Sequence, residues 1–148
     1  MRIIALLLLI SVLPLTACSQ KRSAEDVLTR YCEEHPIDQQ IYSSLADEYD
    51  TGHIDREMLT LLYGEEEYPV RELALVFYGK VDTVREIGVF ITTGGDDVIR
   101  ASEIAAARIR FLSGFSRGEG FIKKYRGVLV YGFVEDASYT EEIFDRIL

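Results

Sequence analysis

Two thiols, two imidazoles and 25 carboxylates are the groups in this 148-residue chain whose types could do chemistry. Cys32-Glu33-Glu34-His35 sets a thiol, two acids and an imidazole side by side, which is half a metal site or the start of a thiol–imidazole pair. No second Cys/His pair completes either, so Cys32 reads as a small hydrophobe on the apolar face of a helix and His35 as its polar end. His53 and Glu57 stand one helical turn apart, as two ligands on one face would, but two ligands do not close a tetrahedral shell. Asp47-Glu48-Tyr49-Asp50-Thr51-Gly52 is acidic like a calcium loop, yet lacks the alternate-position acids and the closing bidentate glutamate. No serine or cysteine nucleophile sits in a recognisable catalytic setting. The chain is therefore read as a binding or interaction protein with no metal and no cofactor. Its many paired carboxylates keep a carboxylate-based cell-envelope hydrolase as the alternative.

Cys18 calls for a different chemistry. Arg2 is followed by an apolar run from Ile3 to Leu13, 11 residues long, where a membrane span needs about 20. Pro14 and small residues follow, the order of a secretory signal. Leu15-Thr16-Ala17-Cys18 resembles the lipobox of bacterial lipoproteins. That resemblance implies a diacylglycerol on the Cys18 sulfur and cleavage after Ala17, and two acyl chains anchor durably. The expected organisation is a signal peptide over 1–17, a lipidated tether over 18–22 and one globular domain over 23–148. The expected location is the extracytoplasmic face of the cell membrane. The tether from Ser19 to Arg22 reaches at most ~14 Å when extended.

The mature chain keeps 15 basic against 25 acidic residues, net −10, which excludes a nucleic-acid backbone as partner by bulk charge. Cys32 would stand alone once Cys18 carries lipid, so no internal disulfide supports the fold.

Ser23 and Asp26 resemble a capping box that opens a helix with Ala24, Val27, Leu28 and Tyr31 on one face, closed before Pro36. Ile41, Tyr42, Leu45, Ala46 and Tyr49 recur at helical spacing and predict a second helix. Asp55 caps a third that Gly64 ends. Two β-rich segments, 72–78 and 86–92, predict antiparallel strands. Gly94-Gly95-Asp96-Asp97 opens a helix to Leu112, with acids rather than a phosphate at its positive end. A flexible stretch over 113–120 precedes a third strand, 127–134, and a last helix begins near Ser138 with Glu141 completing another capping box. The fold expected is an α+β two-layer sandwich. Its small, mainly antiparallel three-stranded sheet has preferred order 2-1-3, with 1-2-3 as the alternative, and helices cover one face.

Glu86-Ile87-Gly88-Val89-Phe90, an acid-started helix running to Arg108 or Arg110, a loop, and the apolar strand Val128 to Val134 before an acidic turn together resemble a family. It is the small lipoprotein domain of Gram-positive bacteria that is known only as a domain of unknown function. The likeness covers about 100 residues, is weak before residue 70 and implies a fold without catalytic residues. The chain departs from that pattern in a basic, glycine-broken loop. Arg108, Arg110, Arg117, Lys123, Lys124 and Arg126 stand there against Glu119 alone, interleaved with Phe111, Phe115, Phe121 and Tyr125. Residues 33–72 hold twelve acids against Arg56 and Arg71. The six basic residues are candidates for contact with an anionic surface such as lipid headgroups or a wall polymer, and an envelope protein is the other candidate partner. The opposing reading pairs the two charged halves within the molecule.

Overall fold

Neither Ile87–Ile91 nor Val128–Val134 contains a charged residue, because the sheet they build is covered on both faces. Strands buried on both sides read as continuous apolar runs, whereas a half-solvated strand alternates. The computed structural model describes residues 22–37, 39–65, 70–80 and 83–148. In chain order these form α1 (Ala24–Glu34), β1 (Ile41–Ser43), α2 (Arg56–Tyr63), β2 (Glu72–Tyr78), β3 (Arg85–Ile91), α3 (Gly95–Ser113), β4 (Glu119–Tyr125), β5 (Val128–Val134) and α4 (Ala137–Ile147). The strands make one antiparallel sheet in the order β1-β2-β3-β5-β4.

Successive side chains of a strand point to opposite faces, so each central strand feeds two cores. Ile87, Val89, Val130 and Val134 meet Val27, Leu28 and Tyr31 of α1 and Ile143 and Phe144 of α4. Leu73, Leu75, Phe90, Leu129 and Tyr131 meet Leu59 of α2 and Ala101, Ile104 and Ala105 of α3. Both cores close within residues 24–148, so this part of the chain folds around its own interior. Gly88 is required where the sheet and Tyr131 meet, since a Cβ there would stand 2.1 Å from the tyrosine ring.

The α+β class holds, and the finer expectations are corrected. The sheet has five strands rather than three, and helices cover both faces rather than one. The three expected strands lie in the order 1-2-3, not 2-1-3, with β3 antiparallel to β5. The physical reason is β4, which follows α3 and reverses the chain once more, so no parallel crossover joins β3 to β5. β4 occupies a sheet edge, and its lysines and glycine suit an edge strand while hiding it from a search for β-rich runs.

The expected helix over Ile41–Tyr49 is instead β1 followed by turns. Ser43 Oγ accepts from the Leu45 amide, Asp47 from Tyr49 and Asp50 from Gly52, so short polar side chains outcompete helical bonding. Tyr49 is 89% exposed and belongs to no apolar stripe. The Ser23–Asp26 capping box and the Asp55 cap form as expected. α4 starts at Ala137, beside the expected Ser138, but its cap is Asp136, whose carboxylate accepts from the Tyr139 amide, and not a Ser138–Glu141 capping box. At the start of α3, Asp97 accepts from the Thr93 amide and hydroxyl rather than from the helix's own first turn.

Candidate functional site

Glu86 takes an inward position of β3, facing α3, and is 0% exposed. A carboxylate there carries a desolvation penalty of several kcal/mol and persists only with a counter-charge and filled lone pairs. Arg108 supplies the charge from the buried face of α3, spaced three and four residues from Ala105, Ile104 and Leu112. Its Nε lies 3.0 Å from each Glu86 oxygen and its Nη2 lies 2.7 Å from Oε2. Tyr131 on β5 donates to Oε1 at 2.5 Å, and its hydroxyl is 2.6 Å from that of Tyr63 at the end of α2. Arg108 Nη1 also donates to the Leu62 carbonyl at 3.4 Å. One ion pair thereby ties α2, α3, β3 and β5 together.

Burial above all, and then the Glu86 charge, pushes the Tyr131 hydroxyl well above its ordinary ionisation range; burial does the same to Tyr63. Both phenols stay protonated and act as donors. Glu86 has both oxygens occupied by donors, so the cluster acts as a strut between the elements that supply them. No buried side-chain polar atom among the described residues lacks a partner.

Above this strut the seam between α2 and α3 opens into a cleft of about 140 Å³ lined by Leu61, Leu62, Tyr63, Ile104, Ala107, Arg108 and Phe111. Leu61 is 81% exposed, Phe111 61% and Phe115 53%. The Phe111 and Phe115 rings meet edge to face at 5.2 Å, and the Arg108 guanidinium lies 5.3 Å from the Phe111 centroid. Leu61 also borders a shallow groove along α2 with Arg56, Glu57 and Thr60. The result is an exposed apolar strip from α2 to the end of α3, of the kind that marks an interaction surface.

The six basic candidates do not form one patch. Arg108 is 8% exposed and committed to Glu86. Lys123 pairs with Asp145 at 2.8 Å and with Glu141 at 3.3 Å, joining β4 to α4. Arg110, Arg117, Lys124 and Arg126 are exposed, but β4 runs its full length between Arg117 and Arg126. Glu86 and Arg108 escaped the sequence reading as a pair. The available signal was that each sits at an inward position of its element.

The thiol–imidazole stretch is also accounted for. Cys32 is a free, half-buried thiol that burial pushes upward in pKa, away from reactivity. His35 packs its ring near Tyr31 and Tyr139, and His53 Nδ1 lies 2.9 Å from the Ala46 carbonyl oxygen. Among the described residues no group of three His, Cys, Asp or Glu side chains is placed to hold a metal ion, and no helix is long and apolar enough to cross a membrane. Leu15, Thr16, Ala17 and Cys18 lie outside the described residues. Comparison with protein-family models, with curated proteins and with solved structures finds no match.

Proposed function

We propose that this chain is a lipoprotein of the extracytoplasmic face of the cell membrane, anchored through Cys18, and that its folded part is a non-enzymatic binding module. In this reading an envelope protein docks on the α2–α3 seam. The anchoring part is supported by Leu15-Thr16-Ala17-Cys18 behind an apolar run too short to span a bilayer. The likeness of residues 86–134 to a small lipoprotein domain belongs to the same proposal.

The observation that carries the binding part is the pairing of an exposed apolar strip, Leu61, Phe111 and Phe115, with a polar cluster beneath it that has no free valence. A carboxylate hydrolase would need a carboxylate with a free oxygen in a cleft, and Glu86, which lies under this one, has none. The test is a photocrosslinking residue placed in the full chain at Leu61, at Phe111 or at the exposed Tyr49, which lines neither the seam nor the α2 groove, followed by irradiation of native membranes. A discrete protein adduct from Leu61 and Phe111, lost in a Leu61→Asp background and absent from Tyr49, is the expected result. Equal labelling from all three positions would end the reading.

A further inference from the structure

One end of the sheet gathers three arginines that lie far apart in the sequence. Arg71 precedes β2 and its amide donates to the Ile91 carbonyl. Glu72 pairs with Ile91, Ile91 with Val128, and Val128 with Tyr125, so the start of β2, the end of β3 and the β4–β5 turn lie side by side. Arg126 occupies that turn beside Gly127, whose φ of +73° is the left-handed value that glycine adopts without strain. Arg22 reaches the same place from the start of the described chain and donates to the main-chain oxygens of Ile147 and Leu148, each at 3.0 Å.

Arg22, Arg71 and Arg126 line one groove of about 690 Å³, together with Thr92, Thr93, Tyr125, Leu148 and an apolar floor that includes Ile91 and Val128; among the described residues no Asp or Glu side chain lines it. Three acids of the adjoining segments are engaged. Glu72 accepts from the Ala24 amide and lies 3.5 Å from Arg71 Nε, Asp26 accepts from the Ser23 amide, and Asp97 from Thr93. Arg126 is left with no hydrogen-bond or ion-pair partner among the described residues. A planar guanidinium offers forked donors that match phosphate oxygens, and three around one apolar-floored groove make an anion site of the size of a small ligand.

The covalent chain says which anion is at hand. Arg22 is part of the groove and stands only four residues after Cys18, at most ~14 Å of chain. We infer that the groove takes the phosphodiester of an anionic phospholipid headgroup in the membrane that holds Cys18, so that lipid and groove together fix how the domain stands on the surface. The inference rests on the anchoring proposed above. The mature net charge of −10 opposes an anionic surface at long range, so attraction is confined to this end of the molecule.

The chain from Ser19 to Leu148, which carries both cores and no lipid, is sedimented with vesicles of phosphatidylcholine alone or with phosphatidylglycerol added. Each arginine set against an anionic bilayer is worth about fivefold in affinity and three about 100-fold. The expected result is binding that requires phosphatidylglycerol, weakens about fivefold in Arg126→Gln and about 100-fold in Arg22→Gln/Arg71→Gln/Arg126→Gln. Arg56→Gln/Arg110→Gln/Arg117→Gln makes the same charge change elsewhere and should stay within about threefold of the parent. Arg126→Gln breaks no hydrogen bond or ion pair among the described residues, so its result stands even if the triple variant folds poorly. Equal losses in the two triple variants, or binding indifferent to phosphatidylglycerol, overturn the inference. Displacement from vesicles by inorganic phosphate, but not by chloride at equal ionic strength, also overturns it and assigns the groove to free phosphate. The mass of Cys18 in full-length protein from membranes is read separately. An unmodified Cys18 overturns the anchoring alone, and a lipidated Cys18 with groove-independent vesicle binding overturns this inference alone.

Discussion

Removing one partner of the Glu86–Arg108 pair should cost far more than removing both. Arg108→Met leaves a carboxylate with 0% exposure facing Tyr131 alone, and Glu86→Met leaves a guanidinium that is 8% exposed with no counter-charge. Breaking a buried pair in this way costs ~3–5 kcal/mol, while replacing the whole pair by apolar side chains of similar volume is near neutral. In Glu86→Met/Arg108→Met the Tyr131 hydroxyl keeps its 2.6 Å partner in Tyr63, so no hydroxyl is stranded. At about 4 °C of melting temperature per kcal/mol for a domain of this size, each single variant should melt roughly 12–20 °C below the parent. The double variant should lie much closer to the parent. Urea unfolding of all four proteins closes a double-mutant cycle with a coupling energy of several kcal/mol, opposite in sign to the single losses. Single losses below ~1 kcal/mol, or a double variant whose loss equals their sum, would refute the claim that the pair is a desolvated strut.

Burial, with Glu86 as the further cause at Tyr63 and Tyr131, raises the ionisation of both. A raised folded-state pKa contributes stability below the unfolded value near 10 and loses it as pH climbs beyond, by ~1.36 kcal/mol per pH unit per tyrosine. The tyrosinate absorbance of these residues should therefore appear together with alkaline unfolding, and a smooth titration before it would contradict their burial. Gly88→Ala places a Cβ 2.1 Å from the Tyr131 ring and should cost ~1–3 kcal/mol in urea unfolding, as overpacking does. Ser23→Ala removes the hydroxyl that caps α1 and should cost ~1 kcal/mol in the same assay, with amide exchange quickening in the first turn of α1.

The elements that sequence made legible are those whose own periodicity or caps decide them. α1 carries a strong apolar stripe behind a capping box, and α2 lies between Asp55 and the left-handed Gly64. β2, β3 and β5 announce themselves by β-branched and aromatic runs. The two edge strands were hidden for physical reasons. β1 has three residues, and β4 puts Glu119, Gly120 and Lys124 at its exposed positions, none of them a β-forming residue. Without β4 the chain would reach β5 from β3 by a parallel crossover, which reverses that strand and changes the strand order. The unbroken apolar runs of β3 and β5 held the clue to helices on both faces, since a sheet open on one side would alternate. Charge alone suggests exposure and groups Arg108 with the surface residues. Its spacing from Ile104, Ala105 and Leu112 placed it on the buried face, opposite an acid at an inward position. The Arg22–Arg71–Arg126 groove is a product of strand register and is invisible in a linear sequence.

Everything proposed for this protein's place in the cell turns on Cys18. The most direct measurement is the mass of the N-terminal peptide of full-length protein extracted from its native membranes. The account predicts a chain that begins at Cys18 with a diacylglyceryl group on the sulfur. A chain that retains Met1, or begins at Cys18 with a free thiol, would contradict it.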